Sequence, residues 1–399
     1  MKRIIAKIRI EEYCLYIGSF LMFLVYFLFF HSQSPWLESA KKEFHNLKAG
    51  MSYFNVTFYF FIFLILLRLI FWVTNKLVKV TEKNKEIKSN EWRHFSLRKK
   101  IIGFFPLVRL FAGIALFFGS LIGILGYWAQ IFKDRLINNE LNELDRIIFG
   151  NYPFLWLQSP NNLFKQFDWL LLYGYGLISV FMSMTFIIFF LAKNRKFLTM
   201  YIISISLAVI ISLPLWYILP STSPHNIFVK KTYAQYSREN IKDPPYNYQL
   251  TGLVSDFTQK IKEQQKGSPP ISTIPSMHVV WSIIIAYLTF KLNKRLSLIF
   301  IPWAIFSTIG TVYLAQHYFV DIIVSIPIAV ISLEIAKKLV RFEEKYYYHP
   351  QQDHNEASAK ENIVKYIKKL LIPFRVLPSI IINRKISDED NVKLLTFFE

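Results

Sequence analysis

The sequence predicts an all-α, polytopic membrane protein, a helical bundle of about eight transmembrane helices. Two observations carry that prediction. Hydrophobic residues fill 53 % of the 399 positions, with 38 Phe, 22 Tyr and 9 Trp, while charged residues fill only 19 %, against about 25 % in soluble domains. The apolar residues also arrive in unbroken blocks of roughly 20, the length a helix needs to cross about 30 Å of hydrocarbon. This pattern excludes a soluble enzyme, a disordered chain and a fibrous repeat.

The blocks run over about 13–31, 54–74, 106–128, 169–191, 197–219, 277–291, 296–314 and 317–339. The first follows Met-Lys-Arg as a signal peptide would. It is too long for a signal core and lacks a small-x-small cleavage site, so it reads as a retained anchor. The sixth is short, and Pro275 with the residues before it can extend it in non-helical form.

The net charge of +20 comes from basic residues in the connections between blocks. Orientation bias at membrane ends accounts for that placement without nucleic acid, and no groove-reading or base-stacking module is visible. With the N-terminus inside, 31 of the 47 Lys and Arg residues lie in inner segments and 14 in outer ones. Both termini are therefore expected in the cytoplasm. The lone cysteine, Cys14, can form neither an internal disulfide nor a Cys-based metal site.

Two outer connections are long. Residues 129–168 carry Leu141, Leu144, Ile147, Ile148 and Phe149 among charges, the pattern of an amphipathic helix on the membrane surface. Residues 220–276 are punctuated by Pro220, Pro224, Pro244-Pro245 and Pro269-Pro270, and connections of this length commonly cover a site. From about Arg341 the tail alternates basic and apolar residues, which fits a cationic helix held by anionic inner-leaflet lipids.

An ionisable residue inside a span is costly and is a functional candidate by default. Arg68, Arg109 and Glu334 lie near inner span ends, where long side chains reach water. Asp321 is placed differently. It stands four residues after His317, so on a helix the two would share a face. A carboxylate there can accept the Nδ1 proton and raise the basicity of Nε2. His278, in Pro275-Ser-Met-His, opens another span on the same expected outer face. Pro275 suits a first helical turn, and Ser276 with the N–H groups after it is a candidate seat for phosphate.

These residues resemble the type-2 phosphatidic acid phosphatase superfamily. Pro-Ser-Met-His, and His-Tyr-Phe-Val-Asp about forty residues later, look like its second and third motifs. The string Gly310-Thr-Val-Tyr-Leu-Ala-Gln-His-Tyr-Phe-Val-Asp321 is most similar to the inositol phosphorylceramide synthase-like branch. Leu219-Pro-Ser-Thr-Ser-Pro224 and Leu144-Asp-Arg-Ile-Ile-Phe-Gly150, with Pro153 after it, add looser likeness.

The resemblance covers about 105–340, a six-helix phosphatase-type core. It divides the chain into two N-terminal helices with a basic loop (1–104), that core, and a basic tail (341–399). It implies that His317 attacks phosphorus and becomes a phosphohistidine. Asp321 would orient it, and His278 would protonate the leaving lipid alcohol and then deprotonate the acceptor, water or a second alcohol. It implies a membrane lipid substrate and no metal or other cofactor, and it leaves the oligomeric state open.

The sequence also departs from the pattern. The superfamily's first motif, a Lys six residues ahead of Arg-Pro, is missing. Thr311 stands where the third motif usually carries Arg, and Gln316 where the branch often has a further His. The cation that holds the phosphate is therefore open among Lys230, Lys231, His225 and Arg146. Two other readings of the same residues compete. His278, His317 and Asp321 could ligate a metal in a membrane hydrolase, or line the conduit of a transporter or scaffold.

Overall fold

Long apolar runs with no water to satisfy their backbones have one local solution, the helix, which pairs its own N–H and C=O groups. The computed structural model describes residues 9–30, 54, 57–62, 97–132, 135–159, 162–192, 194–224 and 273–347. Among them every regular element is helical. In chain order these are α1 (Ile10–Phe30), α2 (Leu97–Ile131), α3 (Asn138–Phe149) and α4 (Pro153–Leu157). A 3-10 turn (Leu163–Phe167) leads into α5 (Asp168–Gly176), followed by α6 (Ile178–Leu191) and α7 (Arg195–Ile218). The last three are α8 (Met277–Leu292), α9 (Ser297–Tyr313) and α10 (Phe319–Tyr347).

Among the described residues three helices are long and apolar enough to cross a membrane, within α2, α7 and α10, and the bent pair before α7 makes a fourth if it is one span. At 16 and 17 residues, α8 and α9 are apolar but short. The expected span 54–74 is described only at residues 54 and 57–62, where Phe54 and Phe61 pack their rings against Phe111, Phe118 and Phe186. The basic tail beyond residue 347 lies outside the described residues, as does Arg68.

The fourth expected span, 169–191, is not one straight helix. Its two halves bend by 56° at Leu177. The cause lies next to the bend, since Trp303 Nε1 donates to the Gly174 carbonyl at 3.0 Å. A continuous helix would offer that carbonyl to the Ile178 N–H, and diverting such an acceptor is a recognised source of kinks.

The bundle is organised around α7, whose Tyr201, Ile202, Ile203, Ala208 and Val209 are fully buried. It packs on α1, α8 and α10, and α9 packs on α5 and α8. Helix association in lipid depends on close packing, which favours small residues at the contact. Gly174 and Gly310 serve that purpose between α5 and α9. A Cβ at Gly174 would lie 2.8 Å from the Phe306 backbone, and one at Gly310 would collide with the Leu171 carbonyl. Without side chains at these positions, α5 can bring Tyr175 up to the start of α8.

Arg109 was a candidate because it lies within a span, and its partner is structural. Its Nη2 lies 2.8 and 3.1 Å from the two carboxylate oxygens of Glu12, which is 1 % exposed. The pair ties α2 to the first turn of α1. Removing one partner of a buried pair of this kind costs about 3–5 kcal/mol.

Candidate active site

Three segments meet in the site: the start of α8, the start of α10 and the residues just before Pro275. Ser276 is the N-cap of α8 with extended backbone, and the helix begins at Met277. Pro275 therefore precedes the cap and does not occupy the first turn as expected. Its neighbours explain this. The Ser276 N–H donates to Ser325 Oγ at 2.9 Å, and Trp216 Nε1 holds the Pro275 carbonyl at 3.2 Å. Both tethers keep the segment extended.

Ser325 belongs to α10, one turn after Asp321. Its hydroxyl faces the Asp321 carbonyl at 2.6 Å and the Ser276 carbonyl at 3.1 Å. The two motif segments are thus bolted together through one side chain. Ser276 itself is buried, and among the described residues its Oγ has no hydrogen-bond partner.

His317 Nδ1 lies 3.1 Å from Asp321 Oδ2 and 3.1 Å from the Thr273 carbonyl. The contact expected from the spacing is present, but its route differs. His317 and Asp321 do not share a helical face, because α10 begins at Phe319 and His317 lies in the turn before it. Asp321 at the third helical position reaches back to the Tyr318 N–H at 3.0 Å, as the acidic member of a capping box does. The same Oδ2 thereby meets His317. The turn is closed by the Gln316 and His317 N–H groups, which donate to the Thr311 carbonyl at 2.9 and 3.1 Å. Ala315 sits in the left-handed region at φ 52°, a conformation that costs a non-glycine residue roughly 1–2 kcal/mol.

A carbonyl oxygen only accepts. With Thr273 O and a carboxylate oxygen both at Nδ1, the Nδ1–H tautomer of His317 is favoured and Nε2 keeps its lone pair. Asp321 is fully buried, and its Oδ1 has no hydrogen-bond partner among the described residues. The His278 ring lies 6.1 Å from that of His317 and stacks on Tyr175 at 4.2 Å with 14° between planes.

The start of α10 has a further attachment. Asp145 of α3 accepts from the Phe319 N–H at 2.8 Å through Oδ2 and from the Val320 N–H at 3.0 Å through Oδ1. Burial pushes its carboxyl up to about 6, a rise that the two backbone N–H groups oppose and the nearby Asp321 charge reinforces. On the same face Asn138 Oδ1 accepts from the Thr222 N–H at 2.9 Å. Ser221 and Thr273 hydroxyls bond to each other. An amphipathic helix is thus present within 129–168, with Leu144, Ile147, Ile148 and Phe149 exposed. Leu141 is buried, not exposed, and the inner face around it is polar: Asn138, Asn142 and Asp145.

Sequence reasoning missed Thr273, Tyr175, Ser325 and Asp145 as parts of this site. Ser325 carried a signal, since it lies four residues after Asp321. Asp145 stood inside a recognised stretch but was read only as part of a surface helix. Nothing local marked Thr273 or Tyr175. Lys230, Lys231 and His225, the expected phosphate cations, lie outside the described residues. Arg146 is exposed and holds Glu143 on its own helix at 2.8 Å through Nε. Among the described residues, no three His, Cys, Asp or Glu side chains are grouped to hold one metal ion.

Comparison with the curated proteins and with the solved structures found no match. A family match was found, and it spans Asp145, Tyr175, Thr273, Ser276, His278, His317, Asp321 and Ser325. The chain is a membrane protein by its apolar helices, and its residues 139–335 match the PAP2 superfamily, whose members are phosphatases and phosphotransferases.

Proposed function

We propose that the protein is an integral membrane lipid phosphatase or phosphotransferase that works through a phosphohistidine on His317, in the manner of inositol phosphorylceramide synthase-like enzymes. The observation that carries the proposal is the His317–Asp321 pair, joined at 3.1 Å, with the His278 ring 6.1 Å away at the start of a second helix. Splitting one displacement into two needs an activated nucleophile and a separate acid/base. Nε2 of His317 attacks phosphorus, and the bond from phosphorus to the lipid oxygen breaks as His278 gives that oxygen a proton. An acceptor hydroxyl then loses its proton to His278 and attacks phosphorus, and the bond to Nε2 breaks. Ser276 and the free N–H groups at the start of α8 receive the phosphoryl oxygens. Lys230, Lys231 and His225, from the long connection before α8, are proposed to supply the positive charge that phosphoryl transfer requires.

The test uses the full-length protein with vesicles containing phosphatidic acid. Release of phosphate, or its transfer to an added alcohol, should persist in EDTA and stop with vanadate, which mimics five-coordinate phosphorus. Loss in EDTA with recovery on adding zinc would overturn the reading in favour of a metal-dependent hydrolase. A protein that neither releases nor transfers phosphate from any lipid phosphate tested would leave the conduit reading.

The loop charges support a site on the outer face of the membrane with both termini inside. In a Cys14→Ser background, a cysteine replacing Ser268 should react with a membrane-impermeant thiol reagent in intact cells, and one replacing Asn293 should not. Labelling at Asn293 alone would invert the orientation.

A further inference from the structure

The first helical N–H groups of α10 have no partner within the helix, a condition common to all helix starts. Tyr318, the residue at its cap, has no short side-chain oxygen of the kind that normally fills that role. Asp145 fills it from another helix, with one carboxylate oxygen on each of two successive N–H groups, at 2.8 Å to Phe319 and 3.0 Å to Val320. The Tyr318 N–H goes to Asp321 Oδ2, the atom that also meets His317. The direction of the Asp321 carboxylate therefore depends on where α10 begins, and Asp145 sets that point. We propose that Asp145 is a positioning residue: by capping α10 from α3 it holds His317 and Asp321 in register, and it ties that register to a helix whose outer face exposes Leu144, Ile147, Ile148 and Phe149.

Three further observations support this. The turn that carries His317 passes through Ala315 at φ 52°, so its shape rests on tethers and not on its own preference. Asp145 is 3 % exposed and forms no ion pair among the described residues, while its neighbour Arg146 turns outward to Glu143. The titratable groups facing Asp145 are Asp321 and Tyr318 of the α10 start, with His317 behind Asp321. None of them supplies positive charge when His317 is neutral. A buried carboxylate is expensive to keep in such surroundings, and residues that break a local rule of this kind concentrate at functional sites. Finally, Phe149 packs edge-on against Phe319 at 4.4 Å, beside exposed Leu144, Ile147 and Ile148. The apolar side of α3 and the first residue of α10 are thus in direct contact.

This inference rests on His317 being the nucleophile, and the experiment separates the two. The full-length protein is assayed in lipid nanodiscs with p-nitrophenyl phosphate, and amide hydrogen exchange is followed at Phe319 and Val320. Asp145→Ala should lower kcat about 10–100-fold, as loss of a supporting residue commonly does, with KM within about twofold, and both amides should exchange faster. Asp145→Asn should recover kcat to within about fivefold, because its amide oxygen can still accept one bond. Burial pushes the carboxyl of Asp145 up to about 6, and its protonated form resembles the amide. The ratio of wild-type to Asn kcat should therefore be near one at pH 5 and rise through pH 6 to a plateau.

An unchanged kcat and unchanged amide exchange in Asp145→Ala would overturn the inference. So would a loss confined to the amount of folded protein. If the Ala variant does not fold, the pH ratio decides: a rise supports the positioning role and a flat profile refutes it. Turnover that survives His317→Ala would sink the phosphohistidine reading instead, and amide exchange would still report whether Asp145 caps α10.

Discussion

His317→Ala is expected to abolish turnover together with any acid-labile phosphoenzyme, because it removes the Nε2 that forms the bond to phosphorus in the proposed reaction. His278→Ala should be nearly as damaging with a lipid phosphate, since an alkoxide leaves badly without a proton. The two variants separate on an activated ester. With p-nitrophenyl phosphate the leaving group needs little protonation, so the first half-reaction of His278→Ala should survive in part. Phosphoenzyme should then form and accumulate, because the second half-reaction still lacks its base. Phosphoenzyme that forms in His317→Ala but not in His278→Ala would reverse the two roles. A shared metal site would make both variants fail alike with both substrates.

Asp321→Asn is the second large effect, and the structure sharpens its size. In a serine-protease triad the equivalent change costs about 10⁴-fold, largely because the histidine takes the wrong tautomer. Here the Thr273 carbonyl also sits 3.1 Å from His317 Nδ1, and a carbonyl can only accept. It continues to hold the Nδ1 proton when the carboxylate is replaced. The expected loss of kcat therefore lies between about 10² and 10⁴-fold, the span from general acid–base assistance to full loss of the correct tautomer. Single-turnover phosphoenzyme formation measures it. A loss under tenfold would mean that Asp321 is a helix cap and little more, through its bond to the Tyr318 N–H.

Some parts of the site were legible in the sequence. A His four residues before an Asp predicts contact on a shared helical face, and the contact is there at 3.1 Å, though made from the turn before the helix. The route was not legible. Whether His317 opens α10 or precedes it depends on the Thr311 carbonyl and on Asp145, one from the preceding helix and one 172 positions before His317 in the chain. The same holds for the span over 169–191. Its composition reads as one helix, and the bend is made by Trp303, which belongs to a different helix. The amphipathic helix within 129–168 was visible from its apolar residues. That its buried face would be the polar one was not, because periodicity gives the angle between two faces and not which of them meets protein.

The sequence alone therefore determined that the chain is helical and membrane-bound, and which His and Asp residues gather. The first follows from a short-range rule, since unbroken apolar runs in lipid must satisfy their own backbones. The His317–Asp321 contact was expected from a spacing that makes neighbours on a helix, and His278, 39 positions before His317, joins them through the family resemblance of its motif. Only the tertiary structure decided what holds those residues in place. Ser325 joins the two motif segments, Thr273 and Asp321 share one imidazole nitrogen, Tyr175 stacks on His278, and Asp145 caps the helix that follows His317. All four of these supports reach across 44 or more positions. Such contacts are set by the packing of whole helices, including the close approach that Gly174 and Gly310 permit, and no local pattern of residues encodes that packing.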